Sequence, residues 1–88
     1  MSNNKDFVGN LANELAKKGS TMNQRQVSSA LNASGRKTTY GTDYQGGRGT
    51  NKLVSTSYDY FDNKGDKETA KNIAERITNS EGETPWTS

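Results

Sequence analysis

At 88 residues, 27% of them apolar, with a net charge of +2, the chain allows one domain with a small core. It has neither cysteine nor histidine, which excludes disulfides, thiolate or imidazole metal sites and every triad built on a histidine. No apolar run approaches the roughly 18 residues of a membrane span, and the polar start Met-Ser-Asn-Asn lacks the apolar segment of a secretory signal, so a soluble cytoplasmic protein without metal or cofactor is expected.

The first helix is predicted from Lys5 to Lys18. Phe7, Leu11 and Leu15 recur every four residues, with Val8, Ala12 and Ala16 beside them. Lys17 and Lys18 suit the negative end of the helix dipole, and Gly19 is a natural stop. Gly9 interrupts the pattern at a cost of about 1 kcal/mol relative to Ala, so the first turn is expected to fray. A second helix follows, with Thr21 and Gln24 in the spacing of a capping box. Val27, Ala30 and Leu31 form its apolar stripe, and Gly35 ends it.

Residues 36–45 are predicted as a small β-hairpin. Arg36 to Tyr40 favours extended backbone, Gly41-Thr42-Asp43 reads as a turn, and Tyr44 begins the return. A glycine-rich lead, Gly46-Gly47-Arg48-Gly49, then opens a third helix over 51–63 with Thr50 as its N-cap. Leu53, Val54, Tyr58 and Phe61 share one side of that helix with Ser57. Asn51, Lys52, Ser55, Thr56 and Asp59 take the other. Asp66 caps a fourth helix carrying Ala70, Ile73, Ala74 and Ile77, which should end near Asn79. The expected fold is therefore mainly α with a small β-hairpin: about four short helices, helix-turn-helix or winged-helix-like. The domain covers residues 1–79, and residues 80–88 are a flexible tail containing Trp86.

The charge is unevenly spread. Residues 1–52 hold eight Lys or Arg against three Asp or Glu, and residues 53–88 hold four against seven. The basic part would attract a polyanion or an acidic protein surface, although two ordinary solvated faces would look the same. Glycines before a helix leave its first N–H groups uncovered, so Arg48, Thr50 and Lys52 would flank an anion there, although the glycines would equally serve a tight connection. A nucleotide-binding loop is excluded, because no Gly-Lys-Ser/Thr opens the helix. Short polar residues on the outer face of helix three, Asn51, Lys52, Ser55 and Thr56, are of the kind that reads base edges in a major groove. Arg36 and Lys37 stand beside Tyr40 and Tyr44, a mix suited to nucleic-acid stacking or to a protein interface. Carboxylates are scattered at surface-like positions with no buried pair for acid–base work, so catalysis is not expected.

The segment Ala30-Leu31-Asn32, followed by Gly35, Thr38, Gly41 and Tyr44, resembles part of the DNA-binding region of large serine recombinases. The resemblance covers about fifteen residues. It implies a helix, a short hairpin and a further helix, with a role at DNA. In that family the next helix follows directly, whereas here Gln45 to Gly49 intervene. The recombinase catalytic domain has no counterpart in the chain.

Two functions follow. The first is a non-catalytic DNA-binding protein, a regulator or accessory factor. Arg36, Lys37, Arg48 and Lys52 would hold phosphates, while Asn51, Ser55 and Thr56 would meet the bases. The second is a protein-binding inhibitor or adaptor of phage, plasmid or bacterial origin, anchored by Tyr40, Tyr44, Arg48 and Trp86. RNA is a lesser alternative, and a second copy of the chain is a possible partner.

Overall fold

A computed structural model describes residues 3–45, 48–79 and 81–86. Among them run four helices, α1 (Asn4–Lys18), α2 (Gln24–Ala33), α3 (Arg48–Asn63) and α4 (Lys67–Arg76), and two two-residue strands, β1 (Met22–Asn23) and β2 (Ile77–Thr78). The architecture is mainly helical with a minimal β element, as the apolar periodicity requires.

The starts of α1, α2 and α4 are each built by a polar side chain. Asn3 caps α1 and accepts from the Asp6 N–H at 2.8 Å, while Asp6 answers on the Asn3 N–H. That reciprocal pairing satisfies two N–H groups the helix leaves open. The same device opens α2, two residues later than the sequence spacing implied: Asn23 and Gln26 form the capping box, not Thr21 and Gln24. The reason lies outside the helix, because Met22 and Asn23 are extended and paired in β1. Asp66 caps α4 as expected, accepting from Thr69.

The strands are not the hairpin foreseen at 36–45. β1 and β2 pair in parallel, Met22 opposite Ile77 and Asn23 opposite Thr78. Each strand contains a helix cap with extended backbone, Asn23 before α2 and Ile77 after α4. Two helix ends therefore close on each other, and backbone groups that neither helix could satisfy find partners. Ile77 accordingly leaves helical geometry two residues before the expected end of α4. Within 36–45 no strand forms among the described residues. A reverse turn stands there instead, with Thr38 N–H donating to Thr42 O and Gly41 N–H to Thr38 O, both at 2.9 Å. Gly41 has φ +79°, a conformation costly for any residue with a Cβ.

One core holds the helices together. Val8, Ala12 and Leu15 of α1 meet Val27 and Leu31 of α2, Val54 and Phe61 of α3, and Ala70, Ile73 and Ile77. The α1 face is rotated relative to the four-residue pattern, so Phe7 and Leu11 pack at its edge rather than its centre. α1 and α3 each pack against the other three helices, and the most extensive helix pair is α1 with α4. Gly9 lies where the Phe61 side chain of α3 and the Thr69 side chain of α4 press against α1. A Cβ built there would run into the Phe61 ring and stand 2.9 Å from the Thr69 methyl. The glycine that weakens the isolated helix is what lets Phe61 reach the core.

The segment assigned to a flexible tail joins the domain through residues 81–86. Trp86 is buried, and its indole N–H donates to the Ile77 carbonyl. Asn79 organises the return: its Oδ1 accepts from the N–H groups of Glu81 and Glu83 at 2.8 and 2.9 Å. A large aromatic with a single donor finds both an apolar seat and an acceptor at the end of β2.

Candidate functional site

The start of α1, the turn after α2 and the first turns of α3 enclose an open groove of about 480 Å³. From α1 comes Lys5. From the turn come Thr38, Thr39, Tyr40, Thr42 and Tyr44, and from α3 Gly49, Lys52, Leu53 and Thr56. Among the described residues lining it are two ammonium groups, four threonine hydroxyls and two phenol rings, and no carboxylate.

The turn is held in place from below. Asn32, in the last turn of α2, donates to the Tyr44 carbonyl at 2.7 Å and accepts from the Tyr44 N–H at 2.8 Å. Its amide thus pairs with the chain as a neighbouring strand would. Asn4 of α1 donates to the Tyr44 hydroxyl at 2.7 Å and to the Lys37 carbonyl at 2.9 Å. Arg36 Nη1 donates back to Asn4 Oδ1 at 3.2 Å, and its guanidinium lies 4.8 Å from the centre of the Phe7 ring. The residues that carry the recombinase resemblance, Asn32, Gly35, Gly41 and Tyr44, are those that shape this turn. Gly35 and Gly41 supply positive φ, and Asn32 and Tyr44 supply the clamp.

The residues singled out in the sequence fall into groups. Tyr40, Tyr44, Lys52 and Thr56 meet at the groove. Tyr40 stands 92% exposed, the one large apolar side chain so placed among the described residues. Tyr44 is buried, and it forms the wall rather than a contact surface. Lys37 pairs with Asp43 in an exposed ion pair, and Arg36 is committed to Asn4 and Phe7. Asn51 and Ser55 do not join Lys52 and Thr56. The 3.6-residue period splits that polar face in two, and both of the former are half-buried on the flank away from the groove. A helix packed on three sides leaves only a narrow strip for solvent.

Position 50 also differs from expectation. Thr50 is fully buried inside the first turn of α3, which begins at Arg48. Its hydroxyl donates to the Gln45 carbonyl at 3.1 Å and sits 2.6 Å from the Ser28 hydroxyl, joining α3 to α2. Arg48 is therefore helical in its backbone rather than part of a loop. Its side chain, with Gly46 and Gly47, lies outside the described residues.

Sequence reasoning missed Lys5, Thr38, Thr39, Thr42, Gly49 and Leu53 as groove residues. A threonine-rich run beside an exposed tyrosine was a visible signal. Nothing local linked Lys5 to a turn more than thirty positions away. Compared with known protein families, curated proteins and solved structures, the chain matches none. No helix of the described residues is long and apolar enough to cross a membrane.

Proposed function

We propose that the chain is a non-catalytic DNA-binding protein, a small regulator or accessory factor, that takes hold of the DNA backbone in the groove between α1, the 38–44 turn and α3. One observation carries this reading. Two lysines and four threonine hydroxyls converge on a groove whose described lining has no carboxylate. Lysines neutralise phosphates as point charges, and hydroxyls hydrogen-bond phosphate oxygens without adding charge. Asp43, in the turn, is paired with Lys37, and Asp6, beside Lys5 in the chain, accepts from the Asn3 N–H. Of the phosphate contacts expected from the sequence, Lys52 stays at the groove and Lys5 joins it, while Arg36 is engaged by Asn4 and Phe7 and Lys37 by Asp43. Thr56 remains at the groove, and Asn51 and Ser55 leave it.

A gel-shift assay at low salt tests the proposal, with single- and double-stranded probes run against Lys5→Gln/Lys52→Gln. Retention should fall by about tenfold in the double variant for both probes, since each lysine removes a backbone contact. No retention of either probe by the unaltered protein would overturn the reading. A protein partner is the second reading, favoured by the exposure of Tyr40. It has lost two of its anchors, because Tyr44 and Trp86 are turned into the core.

A further inference from the structure

We infer that the groove seats one unpaired nucleotide of a DNA strand, its base stacked on Tyr40 and its phosphate between Lys5 and Lys52. The inference rests on the DNA reading above and adds to it the state of the DNA.

Tyr40 is the starting point. Its exposure is not that of a loose loop. The turn beneath it is tied by the Thr38–Thr42 backbone bond, by their paired hydroxyls at 2.7 Å, and by the Asn32 clamp two residues further on. The ring is therefore presented on a fixed support, 92% open to solvent, at the rim of the groove. A fixed exposed aromatic is a stacking platform, and stacking accepts any base because every base has a π-face. In a continuous duplex those faces are covered by neighbouring bases, so the platform has a partner only where a base is unpaired or extruded.

The rest of the groove has matching chemistry. A volume of about 480 Å³ lies in the range of small-molecule sites and suits one nucleotide unit. Lys5 and Lys52 provide positive charge for one phosphate. Leu53 gives an apolar patch for a sugar or base edge, and the threonine hydroxyls can donate or accept. No described group reads a particular base, so sequence preference should be weak.

The test is competition against a fluorescently labelled oligothymidylate, using anisotropy. The competitors, at equal nucleotide concentration, are unlabelled oligothymidylate, relaxed closed-circular duplex without ends, and dTMP. The oligothymidylate should compete about tenfold better than the circular duplex. Tyr40→Ala should bring the two to parity, while Tyr40→Phe should keep the difference, because stacking needs the ring and not the hydroxyl. Both substitutions sit on an exposed side chain, and circular dichroism verifies that each variant is folded. Equal competition by strand and circle, unchanged in Tyr40→Ala, would overturn the stacked nucleotide and leave DNA binding standing. Competition by dTMP as strong as by the strand would overturn the strand as the occupant. No binding of the labelled strand, with none of duplex in the gel shift, would remove both proposals together.

Discussion

Two hollows of nearly equal size mark opposite ends of this molecule's chemistry. The groove at Tyr40 encloses about 480 Å³, and a seam between α1 and α4 encloses about 460 Å³. The seam is lined by amides and carboxylates that answer one another. Asn72 donates to Asn13 at 2.8 Å, Asn13 donates to Thr69 at 3.1 Å, and the Thr69 hydroxyl donates to Asp66 at 2.9 Å. In the groove, the Thr38 and Thr42 hydroxyls pair with each other and the Lys5 ammonium lies 5.6 Å from the centre of the Tyr60 ring, while no hydrogen bond among the described residues ties Lys52, Tyr40, Thr39 or Thr56 into such a chain. Volume therefore does not separate a contact surface from a structural joint. The difference lies in whether the polar groups already have each other.

That contrast can be broken or sharpened by substitution, beginning with the joints that hold both hollows. Trp86→Ala should be the most damaging, at about 3–5 kcal/mol of unfolding free energy, because it empties a buried site and removes the donor to Ile77. Urea unfolding gives the value. An effect below about 1 kcal/mol would mean that residues 81–86 do not close the core. Next comes Gly9→Ala. Helix propensity alone would make it stabilising by about 1 kcal/mol, yet overpacking against Phe61 and Thr69 should make it destabilising by about 1–3 kcal/mol. The sign of the change, read from the same unfolding curves, decides between local and tertiary control.

Asn13→Ala opens the seam and should cost about 1 kcal/mol by removing the acceptor of Asn72 and the donor to the Thr69 hydroxyl. DNA retention should be unchanged, whereas Lys5→Gln/Lys52→Gln should show the reverse pattern. Loss of DNA retention in Asn13→Ala would erase the distinction between the hollows. The smallest effect is expected from Lys37→Ala. Its ion pair with Asp43 is exposed on both sides, and such pairs contribute about 0.2–1 kcal/mol.

The helices were legible because their signal is local. Val54, Ser57 and Phe61 lie on one side of α3 by period alone, as do Ala70 and Ile73 in α4 and Val27 and Leu31 in α2. What escaped was set by distant partners. Gly9 read as a weak point because Phe61 lies more than fifty residues away. Met22 and Asn23 read as part of a helix start because Ile77 was not in view. Trp86 read equally as a residue packed back on the domain or as an anchor for a partner, because the Ile77 carbonyl that accepts from it lies past the end of α4. The candidate site was half legible for the same reason. Tyr40, Lys52 and Thr56 stand out by residue type alone, but only the fold decides that Lys5 lines the same groove and that Asn51 and Ser55 do not.

The account stands on the groove meeting phosphates. The slope of log K for DNA binding against log salt concentration measures that most directly. Each phosphate contact contributes about 0.9 to the slope on duplex and about 0.7 on single strands. Replacing Lys5 and Lys52 together by glutamine should therefore flatten it by about 1.8 on duplex and about 1.4 on single strands. An unaltered slope in the double variant, with affinity retained, would place the DNA elsewhere on the molecule and contradict the account.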